Sequence, residues 1–225
     1  MKNTITKDAL CAEFLGSMFL VMASISSMIM FTTVLNAPKD IAVLANAIAV
    51  GFVLIALIEM FGSISGAHFN PVVTLIMLLE KKVSSSAAAL YMLLQFIGGI
   101  AGTILSHLMF FNHIGRLLSV SDNARNEYIF FGEIFGTFIL VLAILLLVKA
   151  GSSKISVVIG LLVGGQLLST SSTMFANPQV TVARMLTNTA SGIRPIDGLA
   201  FIAMQIIGAL LAYLFYRLFF VKNRS

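Results

Sequence analysis

Long apolar stretches dominate the chain, and short polar segments separate them. Each of six stretches is close to the roughly 20 residues that cross a hydrocarbon core. They lie at about 9–33, 41–61, 85–110, 128–150, 155–173 and 197–221. Because lipid offers the backbone no hydrogen-bond partners, we predict that all six are membrane-spanning helices. The first stretch is longer than the core of a signal peptide, so we expect it to be retained.

Two connections are too long for tight turns, and each contains an apolar stretch too short to span a membrane. Each stretch begins with the proline of an Asn-Pro pair: Asn70-Pro71 for 71–79 and Asn177-Pro178 for 178–186. Asn is a favoured N-cap, and Pro is favoured at the first helical position. Nine helical residues rise about 13.5 Å, roughly half a hydrocarbon core. We therefore predict two re-entrant half-helices, which imply a pore or a central site.

The two halves of the chain repeat the same short motifs. Three pairs match: Glu13-Phe14-Leu15-Gly16-Ser17 with Glu133-Ile134-Phe135-Gly136-Thr137, Asn70-Pro71-Val72-Val73-Thr74 with Asn177-Pro178-Gln179-Val180-Thr181, and Gln95-Phe96-Ile97-Gly98-Gly99 with Gln205-Ile206-Ile207-Gly208-Ala209. Each half holds three spans, and an odd number inverts the second copy relative to the first. Residues 1–225 are thus predicted to form one all-α membrane domain with inverted repeats at about 8–110 and 127–221, whose half-helices meet near the midplane.

The composition excludes the soluble classes of protein. Hydrophobic residues make up 59% of the chain and charged residues 10%, whereas soluble domains have about 45–50% and about 25%. The basic residues form no single face, so we expect no nucleic-acid partner. A single cysteine excludes an internal disulfide. No metal-ligand spacing, phosphate loop or catalytic arrangement is visible, so we expect no metal site, no cofactor and no enzymatic activity.

The basic residues also predict the orientation. With six spans both termini lie on one side, and the richer side is expected to be cytoplasmic. Nine Lys and Arg would lie with the termini and five on the other side: Lys2, Lys7, Lys81, Lys82, Lys149, Lys154, Arg217, Lys222 and Arg224 against Lys39, Arg116, Arg125, Arg184 and Arg194.

The two Asn-Pro segments carry a family resemblance. The segment Gly66-Ala67-His68-Phe69-Asn70-Pro71-Val72-Val73-Thr74-Leu75 resembles the first signature loop of the aquaporin and glycerol-channel (major intrinsic protein) family. The segment Ala176-Asn177-Pro178-Gln179-Val180-Thr181 resembles the second in a modified form. The resemblance covers nearly the whole chain. It implies an aquaporin-like fold and a homotetrameric, passive channel for small uncharged solutes in lipid, here a bacterial inner membrane.

Both asparagines are candidates for a central constriction. Each half-helix N-terminus would direct about half a positive charge to one midplane spot, where the side-chain amides can donate to a permeating oxygen. Such an arrangement repels cations and interrupts a proton wire, while a neutral solute passes. The repeat favours this role over helix capping alone. The predicted constriction comprises Asn70, Pro71, Val72, Asn177, Pro178 and Gln179.

Glu13 and Glu133 lie inside apolar spans, where an ionisable side chain is costly and suggests a function. The resemblance implies that they hold the signature loops through backbone N–H groups, which lipid cannot satisfy. In the alternative they relay protons in a secondary active transporter, a class also built from inverted repeats. Their symmetric placement favours the first role. A membrane scaffold without transport is a third possibility.

Two further polar residues have less defined places in the sequence pattern. Glu59 has no counterpart in the second half and could face a subunit interface, the pore or a vestibule. The resemblance implies that His68 lines the cytoplasmic vestibule.

The expected selectivity filter departs from the family pattern. Most members carry Arg three residues after the second Asn, where this chain has Val180. Arg184 lies one helical turn further along the same face and is a further filter candidate; in the alternative its side chain extends to the membrane interface without touching permeants. By register, Val50 on the second span and Gly165 or Gln166 on the fifth would complete a filter that is wider and more apolar than a water filter. Small polyols and undissociated metalloid acids such as arsenous acid are then candidate permeants, and similar second loops occur in a bacterial branch linked to arsenic detoxification.

Overall fold

A computed structural model describes residues 5–221, and the regular secondary structure in that range is entirely helical. The elements in chain order are α1 (Lys7–Ile29) with a π-helical continuation (Met30–Val34), α2 (Lys39–Ser65), α3 (Pro71–Leu79), α4 (Ser85–Met109), α5 (Phe111–Ile114), α6 (Glu127–Lys149), α7 (Ile155–Ser169), α8 (Pro178–Met185) and α9 (Pro195–Phe219). Lys2, Lys222 and Arg224, on which the predicted orientation partly depends, lie outside the described residues.

The predicted spans are present, but one is shorter than expected. Within residues 5–221 five helices are long and apolar enough to cross a membrane, namely α1 with its continuation, α2, α4, α6 and α9. The predicted span 155–173 ends early, because α7 stops at Ser169 after 15 residues. There the hydroxyls of Ser169 and Thr170 donate to the carbonyl oxygens of Gly165 and Gln166, and the following polar residues leave the helix.

Both half-helices begin at the predicted Asn-Pro pairs. The side-chain oxygen of Asn70 accepts a hydrogen bond from the backbone N–H of Val72 at 3.1 Å, and that of Asn177 accepts one from Gln179 at 3.2 Å. Proline follows at the first helical position in both cases. The local sequence therefore sets where each half-helix starts. The second ends at Met185, one residue earlier than predicted.

The half-helices run in opposite directions along α4. The carbonyl of Ala183 accepts from Thr103 Oγ1 at 3.2 Å, and Thr187 Oγ1 lies 2.6 Å from His107 Nε2, so α8 runs parallel to α4. In contrast, α3 returns the chain to the beginning of α4 at Ser85. The N-termini of α3 and α8 therefore meet beside the middle of α4, and their C-termini lie toward opposite ends of the bundle.

Glycines allow the closest helix crossings. A Cβ at Gly98 on α4 would lie 2.4 Å from the carbonyl oxygen of Phe14 on α1, and a Cβ at Gly208 on α9 would lie 2.4 Å from that of Ile134 on α6. Only a residue without a side chain permits this approach. The pairs α1–α4 and α6–α9 accordingly pack along much of their length, as does α2–α7. The predicted all-α fold of membrane helices with two half-helices is confirmed.

Candidate functional site

A cavity of about 330 Å³ extends along both half-helices. The half-helix residues that line it share one face of each helix, at the asparagine and three and seven positions later: Asn70, Val73 and Met77 on α3, and Asn177, Val180 and Arg184 on α8. This spacing is that of a single helical stripe. We call the part of the cavity beside Met77 and Lys82 its α3 end, and the part beside Arg184 its α8 end.

The same spacing corrects the predicted constriction. Pro71, Val72, Pro178 and Gln179 are buried, but none of the four lines the cavity. On a helix, the residues one and two positions after a cavity-facing residue point about 100° and 200° away from the cavity-facing direction. Val72 instead packs in an apolar cluster with Ala209 on α9. The cavity lining therefore leaves these four out, because a contiguous motif on a helix does not form a contiguous wall.

The two asparagines are joined by reciprocal hydrogen bonds. Asn70 Nδ2 donates to the carbonyl oxygen of Ala176 at 2.8 Å, and Asn177 Nδ2 donates to that of Phe69 at 2.8 Å. Each amide therefore binds the residue that precedes the other asparagine. Phe69 and Ala176 both have φ of 46°, in the left-handed region that L residues rarely adopt. Such backbone persists only where the surrounding structure holds it in place.

Glu13 on α1 holds the first of these two loops. Its carboxylate is fully buried and accepts hydrogen bonds from the backbone N–H groups of His68 and Phe69 at 2.9 and 2.8 Å. Two side chains also donate to it, Ser65 Oγ at 2.6 Å and Gln95 Nε2 at 2.7 Å. These donors offset the cost of burying an ionised carboxylate.

Glu133 on α6 makes the same kind of contact with the second loop. It is fully buried, and it accepts hydrogen bonds from the backbone N–H groups of Phe175 at 2.9 Å and Ala176 at 2.8 Å. Gln205 Nε2 donates to it at 2.6 Å. A single carboxylate thus fixes two consecutive N–H groups of each loop, directly before the asparagine.

One glutamine connects each carboxylate to its half-helix, and the sequence analysis assigns no role to either glutamine. Gln95 Nε2 also donates to Thr74 Oγ1, and Gln205 Nε2 to Thr181 Oγ1, both at 2.9 Å. Each threonine hydroxyl donates in turn to the carbonyl of the asparagine four residues earlier. The signal was available, because both glutamines occupy matched places in the third and sixth spans.

Aliphatic side chains on α2, α7 and α8 line the cavity. Val50 on α2 and Val180 on α8 are each 6% exposed and line the cavity. Val163 and Leu167 on α7 line it as well. The cavity wall therefore includes these four aliphatic side chains, which offer a permeant no hydrogen bonds.

The cavity lining does not include the predicted filter position on the fifth span. Gly165 lies on an exposed face of α7, where an added Cβ would meet no atom within 4 Å. Neither Gly165 nor Gln166 lines the cavity, whereas Val163 and Leu167 do. Because α7 is apolar around its circumference over most of its length, its sequence carries little signal for which face meets the lumen.

Arg184 lines the α8 end of the cavity. Since α8 continues to Met185, Arg184 lies on the same helical face as Val180, one turn further along. Its side chain is 4% exposed, its guanidinium lies 3.7 Å from the centre of the Phe175 ring, and its Nε donates to the carbonyl of Ser191. Its Nη atoms have no hydrogen-bond partner within residues 5–221.

Phe175 was not predicted as a site residue, yet it contacts two arginines. Besides Arg184, the guanidinium of Arg125 lies 5.9 Å from the ring centre. Asp197 fixes the backbone of Arg125 by accepting its N–H at 2.7 Å. Burial lowers the pKa of Arg125 from its usual value, and the charges of Glu133 and Asp197 act in the opposite direction. Two guanidinium groups therefore lie around the Phe175 ring, and one of them, that of Arg184, lines the α8 end of the cavity.

His68 occupies the position in the first loop that Phe175 has in the second. It lines the cavity, and its Nδ1 lies 3.1 Å from Thr74 Oγ1. Its ring meets that of Tyr91 edge to face, with centroids 5.5 Å apart. The structure thus places His68 on the lumen, where it also contacts α3 through Thr74 and α4 through Tyr91.

Glu59 has a partner that the sequence did not suggest. Its Oε2 accepts a hydrogen bond from Ser156 Oγ at 2.8 Å. Ser156 is the second residue of α7, so the carboxylate lies at the positive end of that helix and stabilises it. Within residues 5–221 no group of three His, Cys, Asp or Glu side chains is placed to hold a metal ion.

The apolar helices and the cavity between two half-helices define a multi-pass integral membrane protein with a central lumen. The sequence model described as "Major intrinsic protein" matches residues 1–176. The chain is 38% identical over 202 residues to the aquaglyceroporin AqpS of Rhizobium meliloti (strain 1021), covering 89% of this chain and 85% of that protein. It is 37% identical over 100 residues to aquaporin-2 of Erinaceus europaeus, covering 44% and 86%.

The solved structures agree with the sequence comparison. The aquaglyceroporin from Plasmodium falciparum has the same fold, with a TM-score of 0.74 at 20% identity, covering 93% of this chain and 94% of that one. The chain therefore belongs to the major intrinsic protein family. It is a channel for small neutral solutes.

Proposed function

We propose that this channel conducts glycerol and undissociated metalloid acids such as arsenous acid, with water as a further permeant, and excludes protons and ions. The observation that carries the proposal is the apolar wall beyond the asparagines, where Val180 stands three residues after Asn177. Aliphatic walls can pack against the carbon backbone of a polyol, as the apolar lining of a small-molecule site does. The similarity to the aquaglyceroporin AqpS supports glycerol as a permeant.

The meeting point of the half-helices supports the exclusion of cations and protons. Asn70 and Asn177 cap two helices whose positive ends converge beside the middle of α4. A cation there would meet both helix dipoles, whereas a neutral solute would not be repelled. Arg184 adds a fixed positive charge toward the α8 end.

The alternative is a secondary active transporter in which Glu13 and Glu133 relay protons. The observed contacts favour a structural role. Glu13 accepts four hydrogen bonds and Glu133 three, all from donors that a protonated carboxyl would bind less well. A relay residue that had to gain and lose a proton in each cycle would release its loop each time.

Assembly and orientation form a second part of the proposal. We expect a homotetramer in a bacterial inner membrane, with both termini cytoplasmic and residues 1–225 forming one channel domain of two inverted repeats. Native mass spectrometry of the detergent-solubilised protein tests the tetramer. A C-terminal reporter that is active only in the cytoplasm tests the orientation, and activity of a periplasmic reporter at the same site would contradict it.

Stopped-flow measurement on proteoliposomes tests the permeants. Water, glycerol, urea and arsenous acid are compared with empty vesicles, with and without a proton gradient. Glycerol and arsenous acid should cross faster than through empty vesicles, with no saturation and no response to the gradient. Val180→Arg should reduce glycerol flux more than water flux, and Val180→Met is the matched control for bulk without charge. Saturable flux driven by protons would establish the carrier instead.

A further inference from the structure

Two backbone carbonyls lie at the level of the asparagines, one from each loop. Asn177 Nδ2 binds the oxygen of Phe69, and Asn70 Nδ2 binds the oxygen of Ala176, both at 2.8 Å. Phe69 and Ala176 both line the cavity and share the same left-handed backbone conformation. The repeat would therefore give a permeant two equivalent acceptors at this level.

Gln179 makes the two carbonyls different. Its Nε2 donates to the oxygen of Phe69 at 3.3 Å, in addition to the bond from Asn177. The corresponding residue of the first loop is Val72, which has no side-chain donor for the oxygen of Ala176. A carbonyl oxygen has two lone pairs. The oxygen of Phe69 is thus fully used by the protein, whereas that of Ala176 keeps one acceptor position.

The neighbouring helix is adapted to this glutamine. Gln179 is fully buried, and a Cβ at Gly99 on α4 would lie 2.3 Å from its Oε1. The matched position on α9 is Ala209, whose Cβ packs in the cluster that contains Val72. Gly99 therefore provides the space that a larger side chain needs in the second loop, and Ala209 fills the same space beside the smaller valine.

We infer that Gln179, though turned away from the lumen, is a specificity-determining residue that acts through the Phe69 carbonyl. By occupying the second lone pair, it leaves Ala176 as the acceptor of this pair for a hydroxyl group of the permeant. A polyol therefore crosses the level of the asparagines with one hydrogen bond fewer than the repeat could provide. This inference rests on the proposed conduction of hydroxylic solutes.

Gln179→Met tests the inference, because methionine has a similar length and volume but no donor. It also removes Oε1, which is buried without a partner within residues 5–221. The freed lone pair should raise glycerol permeability roughly two- to fourfold, the lower part of the range for one neutral hydrogen bond. Dimethyl sulfoxide, which accepts but does not donate, should keep its wild-type flux. If both fluxes rise together, the variant has merely widened the lumen and the inference fails.

The reciprocal exchange supplies a matched control in the first loop. Val72→Gln combined with Ala209→Gly should place a second donor on the Ala176 carbonyl and lower glycerol permeability by a similar factor. Ala209→Gly alone should leave it unchanged. If Gln179→Met does not fold, Gln179→Ala combined with Gly99→Ala removes the donor and refills the space from α4. A rise in glycerol flux with the reciprocal exchange would contradict the inference.

A spectroscopic measurement separates this inference from the proposed function. The chain contains two Phe-Asn pairs, Phe69-Asn70 and Phe111-Asn112, so carbonyl-¹³C Phe and ¹⁵N Asn labels isolate two carbonyl signals in solid-state NMR. Gln179→Met should move the Phe69 signal upfield, because one hydrogen bond is lost, and leave Phe111 in place. An unmoved Phe69 signal would overturn the contact. Absence of wild-type glycerol flux would instead overturn the proposed function and the permeant part of the inference, with the carbonyl contact decided by NMR alone.

Discussion

The two loops that carry the asparagines are equivalent where the protein holds their backbone, and they differ at particular positions that face the lumen. In both, a buried glutamate accepts two consecutive N–H groups, and a glutamine links it to a threonine of the half-helix. Two matched lumen positions differ by contrast: Met77 in α3 corresponds to Arg184 in α8, and His68 corresponds to Phe175. The repeat thus preserves the support of the loops, while the chemistry of the two ends of the cavity has diverged.

The largest effect should come from removing the buried carboxylates. Glu13→Gln and Glu133→Gln each replace an acceptor of several charge-assisted hydrogen bonds, so each should lower the free energy of unfolding by at least about 3 kcal/mol. Glu13→Gln should cost more, because Glu13 has the additional donor Ser65. Thermal unfolding in detergent micelles, followed by circular dichroism, measures both. Normal folding of either variant together with lost proton-coupled flux would support the carrier alternative.

The helix crossings should be the next most sensitive. Gly98→Ala and Gly208→Ala each place a Cβ against a backbone carbonyl, which cannot move as a flexible side chain can. Each should destabilise the protein by about 1–3 kcal/mol, the usual cost of overpacking. Gly165→Ala is the control, since its Cβ would meet open space and alanine is the better helix former. A loss for only one of the two crossings would break the equivalence of the halves.

The α8 end of the cavity should respond more in permeation than in stability. Arg184→Met gives α8 the residue that α3 has at the corresponding position. Because a charge a few ångströms from a passing ion contributes about 1–4 kcal/mol, the leak of small cations should rise roughly tenfold or more. Ion flux into proteoliposomes measures this, with assembly checked by size-exclusion chromatography. Unchanged permeability to every solute and ion would reject a filter role for Arg184.

The smallest effect should come from exchanging Phe175 and His68, the residues two positions before each asparagine. Phe175→His weakens the stacking of Arg184, which is worth about 1–2 kcal/mol when the cation is desolvated. The expected result is a small fall in the unfolding midpoint, together with a wider acceptance of bulky polyols. His68→Phe is the matched exchange and should change stability less, since no arginine stacks on His68 within residues 5–221. Equal effects of both would mean that the arginine contact is unimportant.

The sequence predicted what depends on local chemistry and missed what depends on rotation about a helix axis. The starts of α3 and α8 followed from Asn as N-cap and Pro at the first position. The lumen face of α7 did not, because a helix that is apolar around most of its circumference gives little sign of which side meets the cavity. Register along α7 points to Gly165, whereas Val163 and Leu167 line the cavity, because position along a helix does not determine which of its faces meets the lumen.

The site was likewise predictable in part. Asn70, Asn177 and Val180 were assigned to the lumen from motif and helical spacing, and the structure places them in the cavity lining. Gln179 was assigned there only by adjacency, although helical geometry turns it toward α4. Phe175 could not be found from the motif alone, because its contact with Arg184 joins a loop to the far end of α8.

The reciprocal bonds between the asparagines and the opposite loops also bear on how the protein is made. They join residues separated by 106 and 108 positions along the chain, so the asparagine of the first half-helix has no opposite loop to bind until the second half has been synthesised. Contacts of such long sequence separation form late, after local helices. Insertion of the long helices into the bilayer can therefore precede docking of the half-helices. Closure of the lumen is then the last step of biogenesis. A polypeptide arrested after its first half would be inserted in the membrane but would be unable to discriminate between solutes.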